Sequence, residues 1–362
     1  MESPYRALEC YDRAADILIT LGDPDPDLTA QIRRRRHQAR RQVLGVSFQL
    51  GLAYDSNVSY LGDAGASDLL AGRGDGKFSS GFQIDFAPVA DRGELLAAGV
   101  RFGHSWHFAI EPFDYQDYGA YLRYARTLGD GWEISLRYDY DLNLLGNEPF
   151  VSQHSLTPAL THRPEPGPGS FRLLETTVYY RFEVRDYLYD IEPRFDRDGW
   201  AHSVGIGQRY SWRPIRDWPG WRWELSAGYR FESDATEGTE FDRRVHNFDL
   251  GLAMPLVNPL RPDRYLLLPD KELVFRFDVN WQIADYRNRS RFDRDRDERY
   301  DVITTYGFVL SQTLVSNPQD GDLVLHAIIS WTDAHSNVTT REFLDPFTYD
   351  KVIYGLQLAW SW

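Results

Sequence analysis

From Leu44 to Trp362 the chain alternates apolar and polar side chains, and this predicts an all-β membrane protein, an antiparallel up-and-down β-barrel of about fourteen strands. Three observations carry the prediction. The alternating segments run about 11 to 15 residues, long enough to cross a bilayer with tilt, whereas strands of a soluble sandwich average about five or six. Tyr and Trp number 22 and 11, in the amounts an interfacial girdle uses, because there the ring is buried and its polar tip stays wet. Short joins also alternate with long polar ones, as at the two ends of a membrane barrel.

The strands are expected near 44–54, 77–87, 94–108, 116–127, 131–142, 151–163 and 171–185, then 199–211, 221–232, 244–256, 271–285, 299–313, 322–332 and 349–362. Trp132, Ile134, Leu136, Tyr138 and Tyr140 alternate with Glu133, Ser135, Arg137, Asp139 and Asp141. Trp221 to Phe231 and Leu273 to Ile283 repeat the pattern, with Arg222, Glu224, Arg230, Arg276 and Asp278 between the apolar residues. Val89-Ala90-Asp91-Arg92-Gly93 and Leu128-Gly129-Asp130 read as short turns, and 55–76, 286–298 and 333–348 as long loops. The 257–270 join is long for the short-turn end.

Composition agrees with a barrel wall. Mean hydropathy is -0.50 and no run of about 18 apolar residues occurs, so a membrane-spanning helix is excluded, whereas a barrel dilutes its apolar residues with lumen residues. A net charge of -14 repels phosphates, so no nucleic-acid partner is expected. Cys10 is the only cysteine, which excludes a disulfide framework and a cysteine metal site.

Residues 1–42 form a separate helical arm. Ser3 caps a helix with Pro4 at its first position, and Ala7, Leu8, Tyr11, Ala14, Ala15 and Leu18 fall at helical spacing. Gly22-Asp23-Pro24-Asp25-Pro26 stops it, and a second helix runs from Asp27 to Arg36. The Tyr-x-x-Ala-Ala core resembles the last unit of a tetratricopeptide array, which needs further repeats or a periplasmic partner to bury its face. Arg33–Arg36 reads as a solvated face, with contact to anionic lipid or an acidic rim as the sharper reading. The first residues lack the basic and apolar regions of a secretory signal, so a processed or truncated start is expected.

The candidate functional residues are those expected to line the lumen: Arg101, Arg123, Glu133, Arg137, Asp139, Glu175, Arg181, Glu183, Arg222, Glu224, Arg230, Asp249, Arg276 and Asp278. Charges of both signs can pair across strands as a lattice that stiffens the wall, or they can line a polar conduit for an exported molecule. The mixture argues against a channel dedicated to an acidic polymer. The phrases Phe113-Asp114, Phe195-Asp196-Arg197-Asp198, Phe241-Asp242-Arg243 and Phe292-Asp293-Arg294-Asp295 recur before even-numbered strands, and their interleaved arginines argue against calcium. Arg287, Arg289, Arg291, Arg294 and Arg296 interleave with Asp293, Asp295 and Asp297, so this segment is expected to be solvated and mobile rather than a packed cap.

No enzyme is expected and no cofactor or metal. His104, His107, His154, His202, His246, His326 and His335 are scattered, with no third catalytic member fixed by spacing, and neither a phosphate-cradling loop nor His-Glu-x-x-His occurs.

The last strand, with Gly355, Leu358, Trp360 and a terminal Trp362, resembles the assembly signal of bacterial outer-membrane barrels, which implies the barrel-assembly machinery and outer-membrane lipid as partners. A helical tail leading into Leu52-Ala53-Tyr54-Asp55-Ser56-Asn57-Val58 resembles the start of the barrel in surface lipoprotein assembly modifiers, and that phrase also occurs in exopolysaccharide exporters. The resemblance implies an outer-membrane barrel from residue 43 with both termini in the periplasm. It implies export or assembly of a lipoprotein or other protein at the cell surface. The alternatives are a polysaccharide export barrel and a non-transporting barrel that anchors a periplasmic complex.

Overall fold

The computed structural model describes residues 43–362 except 60–72, 92, 166–168, 190–192, 216–220, 296, 318–320, 340–344 and 346. Before residue 43 it describes 7, 8, 10–14, 32, 35 and 39, all of them helical. The rest of the expected arm, including Ser3-Pro4, the stop at 22–26 and most of the arginine run, lies outside the described residues.

The strands are β1 (Leu44–Asp55), β2 (Asp75–Asp91), β3 (Glu94–His107), β4 (Tyr115–Gly129), β5 (Trp132–Leu145), β6 (Glu148–His162), β7 (Phe171–Tyr187) and β8 (Gly199–Trp212). They continue as β9 (Trp223–Thr236), β10 (Arg243–Pro255), β11 (Val257–Asn258), β12 (Arg261–Tyr265), β13 (Leu273–Arg289), β14 (Glu298–Asn317), β15 (Gly321–Ser336) and β16 (Tyr349–Ser361). Each barrel strand pairs antiparallel with its neighbours, and β1 pairs β16, so fourteen strands close into a barrel. Closure leaves no sheet edge, which is what a wall in hydrocarbon requires. The short β11–β12 hairpin occupies the long 257–270 join and explains its length.

The predicted alternation holds along the wall. Leu52, Val100, Leu250 and Leu356 stand on the outward face, each more than half exposed, while Asp141, Glu183 and Asn247 are buried on the inward one. Large apolar side chains turned out of the fold, with polar ones turned in, suit lipid outside and water inside. Aromatic pairs band the outward face: Phe78–Trp106, Phe102–Tyr118 and Tyr306–Trp331 toward one end, Trp132–His162 and Phe171–Tyr210 toward the other. Among the described residues no helix is long and apolar enough to cross a membrane.

Several strand boundaries differ from expectation. Strands β2, β13, β14 and β15 run to Asp91, Arg289, Asn317 and Ser336, past the stretch where alternation is readable. Beyond the bilayer both faces meet water, so the ladder continues without an apolar face. The β5–β6 join is a tight turn, because Gly146 and Asn147 both take positive φ (57° and 68°), the geometry of a type I′ hairpin. Strand β9 begins at Trp223, where its ladder with Trp212 starts, so Arg222 precedes the strand and is not a wall position.

The seam joins the first and last strands. Trp362 and Val46 exchange backbone hydrogen bonds, and Leu358 and Trp360 lie opposite Leu50 and Phe48. Gly355 stands opposite Ala53, where an added Cβ would come within 2.4 Å of the Leu52 carbonyl oxygen, so only glycine fits this close approach.

Candidate functional site in the lumen and loop-end mouth

The inward side chains of β3 to β10 form a lattice of ion pairs. Arg101 pairs with Asp117 at 3.1 Å and with Asp141. Arg123, Glu133, Arg163 and Glu175 form a chain across four strands, with contacts of 2.9, 3.1 and 2.8 Å. Arg137 pairs with Asp139 at 2.6 Å and lies 4.3 Å over the ring of Tyr121, whose hydroxyl donates to Asp85. Arg181 and Arg185 share Glu183, Arg230 reaches Glu232 at 3.8 Å, and Asn280 donates to Asp249 at 2.7 Å. Pairs such as Arg101–Asp117 are partly exposed, so each contributes about 0–1 kcal/mol and the lattice stiffens by number.

Not every inward charge belongs to this lattice. Glu224, Arg276 and Asp278 are exposed although they point inward from the wall, and among the described residues none has an ion-pair partner. Solvent therefore reaches the lumen between the strands. Of the predicted lumen residues, Arg222 alone stands outside the wall.

Described residues of four loops meet at the end opposite the termini: 193–198, 237–242, 290–295 and 337–339 with 345 and 347. The segment expected to be mobile is packed here. Glu240, 7% exposed, accepts from the Ser290 hydroxyl at 2.7 Å and from the Arg291 amide. Asp293, 9% exposed, accepts from the amides of Asp295, Asp297 and Thr339 at 3.0, 3.0 and 3.1 Å. The Phe195, Phe292 and Phe347 rings lie in a row, at 5.5 and 5.6 Å between neighbours. A run of alternating charges thus becomes a folded turn, because Asp293 satisfies backbone N–H groups rather than water. Arg287, Arg289, Arg291, Arg294, Asp295 and Asp297 are exposed as expected; Arg294 and Asp295 pair in solvent, and the hydrogen bond from Arg294 holds the Asp295 carboxyl below its usual range.

The aromatic-acidic phrases are explained the same way. Asp114 accepts the His107 amide at 2.7 Å, Asp198 the Tyr187 amide and Asp242 the Thr236 amide at 2.6 Å, so each aspartate clasps its loop to the end of the preceding strand. Among the described residues no group of His, Cys, Asp or Glu could hold a metal ion.

Beneath the loops lies a cavity of about 360 Å³, lined by arginines, aspartates and aromatic rings. Arg243 pairs with Asp234 at 2.8 Å, and Arg299 pairs with Asp301 and lies 3.5 Å over Phe347. Asp234, Arg243, Arg299 and Asp301 were missed as site residues, although all four share the inward parity of their strands. The Tyr54-Asp55-Ser56-Asn57 phrase clasps the seam at this end. Asp55 meets Lys351 at 2.9 Å and Lys77 at 3.6 Å, and the Ser56 hydroxyl accepts the Val352 amide.

The histidines are dispersed over the wall and its loop end. His154, His202 and His246 lie on the outward face, each hydrogen-bonded to a tyrosine of the adjoining strand (Tyr138, Tyr180 and Tyr229) within the aromatic band. His326 points inward and meets Ser311, and His335 sits beside Asp333 at the loop end.

No family model matches the chain, and no curated protein matches it. Solved structures it resembles include one described as a bacterial polysaccharide outer membrane secretin, at TM-score 0.46 and 10% identity over 87% of this chain and 98% of that one. OprB of Pseudomonas putida aligns at TM-score 0.45 and 8% identity over 90% of this chain and 96% of that one. CdiB from Acinetobacter baumannii aligns at TM-score 0.40 and 11% identity, over 88% of this chain and 60% of that one. At these scores the likeness is one of barrel architecture alone, that of outer-membrane β-barrels.

Proposed function

We propose that this chain is the outer-membrane conduit of an export or surface-assembly factor, with the loop end outside the cell and both termini in the periplasm. The observation that carries the reading is the polar lumen, where Glu224, Arg276 and Asp278 stand exposed inside a closed wall. A barrel that only anchors a complex has no use for a lumen lined by unpaired, solvent-exposed charges. The chemistry is passage rather than catalysis, with no cofactor.

The exported molecule is read as a lipoprotein or other protein. The support is the likeness of Tyr54–Val58 and of the helical residues before β1 to surface lipoprotein assembly modifiers. Residues 1–42 would then meet a periplasmic partner, and Gly355, Leu358, Trp360 and Trp362 would be read by the barrel-assembly machinery. A polysaccharide is the alternative cargo.

Planar-bilayer recording tests the conduit. The intact protein should conduct weakly, because the loops interlock through Glu240 and Asp293. The Glu240→Ala, Asp293→Ala double variant should conduct several-fold more. Silence from both forms would indicate a sealed scaffold and defeat the reading.

A further inference from the structure

The loop-end cavity holds four arginines, and their partners separate one from the others. Arg185 is committed to Glu183 and Asp234, Arg243 to Asp234, and Arg299 to Asp301. Among the described residues Arg197 has no carboxylate partner. Its guanidinium lies 4.0 Å over the ring of Phe241 and 5.9 Å from that of Tyr187. A guanidinium held on an aromatic ring and committed to no carboxylate can pair with an anion that enters the cavity.

We propose that this cavity binds a carboxylated sugar ring, a hexuronate unit of a saccharide chain, with Arg197 receiving the carboxylate. The proposal rests on the conduit reading, in which this end of the lumen meets molecules outside the cell. Three features select the ligand class. One uncommitted cation matches one carboxylate, whereas a phosphate near neutral pH carries about -1.5 to -2. Asp234, Asp301 and Gln282 face the cavity as acceptors, and their spare lone pairs suit the hydroxyl donors of a sugar. The phenyl rings of Phe292 and Phe347 offer flat apolar surface to the C–H faces of a pyranose. An acidic peptide side chain brings the anion but neither the hydroxyls nor the ring. The volume of about 360 Å³ lies at the small end of ligand pockets and admits one or two rings.

This is a single station at the mouth, so it is compatible with the mixed charge of the lumen below. Calorimetric titration of the full chain in detergent, with trigalacturonate, maltotriose and glucose 6-phosphate as probes, tests it. Trigalacturonate should bind at least tenfold more tightly than either of the others. Arg197→Gln should weaken it at least tenfold, Arg197→Lys should restore part of the loss, and Arg264→Gln on the β11–β12 hairpin should change nothing. Phe241→Leu, which removes the ring beneath Arg197, should weaken binding several-fold and serves if Arg197→Gln fails to fold. Equal binding of maltotriose, equal or tighter binding of glucose 6-phosphate, indifference to both Arg197→Gln and Phe241→Leu, or no binding at all would each overturn the proposal. Conductance of the same preparation keeps the two readings apart. A conducting protein that binds no uronate loses the site and keeps the conduit, and a silent one that binds it does the reverse.

Discussion

Asp55→Asn is expected to destabilise the barrel by about 3–5 kcal/mol, the cost of breaking a buried ion pair by removing one partner. The Asp55 and Lys351 side chains are 3% and 2% exposed, and Lys77 approaches the same carboxylate from β2. Asparagine keeps the shape and still accepts the Asn57 amide, so the change isolates the charge. It leaves two ammonium groups facing each other where β1 meets β16. Lys351→Met should cost less, because Asp55 retains Lys77. Urea unfolding of protein reconstituted in lipid vesicles would rank the two, and a larger loss for Lys351→Met would mean that the seam is held by something other than this triad.

Leu356→Arg should cost about 2–4 kcal/mol, the penalty for arginine on the lipid face near the bilayer midplane. Leu356 is 56% exposed on the outward face, between Tyr354 and Leu358 and opposite Leu52 and Ala327. Its neighbour Gln357 points into the lumen, where the amide donates to Gln49. Gln357→Arg should therefore cost less than 1 kcal/mol, roughly the exchange of one exposed polar contact for another. The same unfolding measurement applies, and equal losses at the two positions would contradict the assignment of faces.

The wall was legible because a period of two survives wherever one face meets lipid and the other water. Strand β16, with Tyr354, Leu356, Leu358 and Trp360 on one face, shows it plainly. Where strands rise beyond the bilayer the signal disappears. Arg287 and Arg289 look like loop residues, yet they extend β13. The lumen charges were readable by parity, and their partners follow from register, which a single strand does not carry: Arg163 meets Glu133 and Glu175 from two different neighbours. The loop-end cavity was not legible. It needs Arg197, Phe241, Phe292 and Phe347 from four separate loops, and the aspartates that fold those loops bond backbone amides, which a run of charges does not reveal.

Thiol accessibility along β16 tests the central claim most directly. In a Cys10→Ser background, single cysteines at Ile353, Tyr354, Leu356, Gln357, Leu358 and Ala359 would be probed in lipid vesicles with a small, charged, membrane-impermeant reagent. A membrane-spanning barrel with a hydrated lumen predicts reaction at 353, 357 and 359 and protection at 354, 356 and 358. Uniform protection, or reaction without alternation, would contradict it.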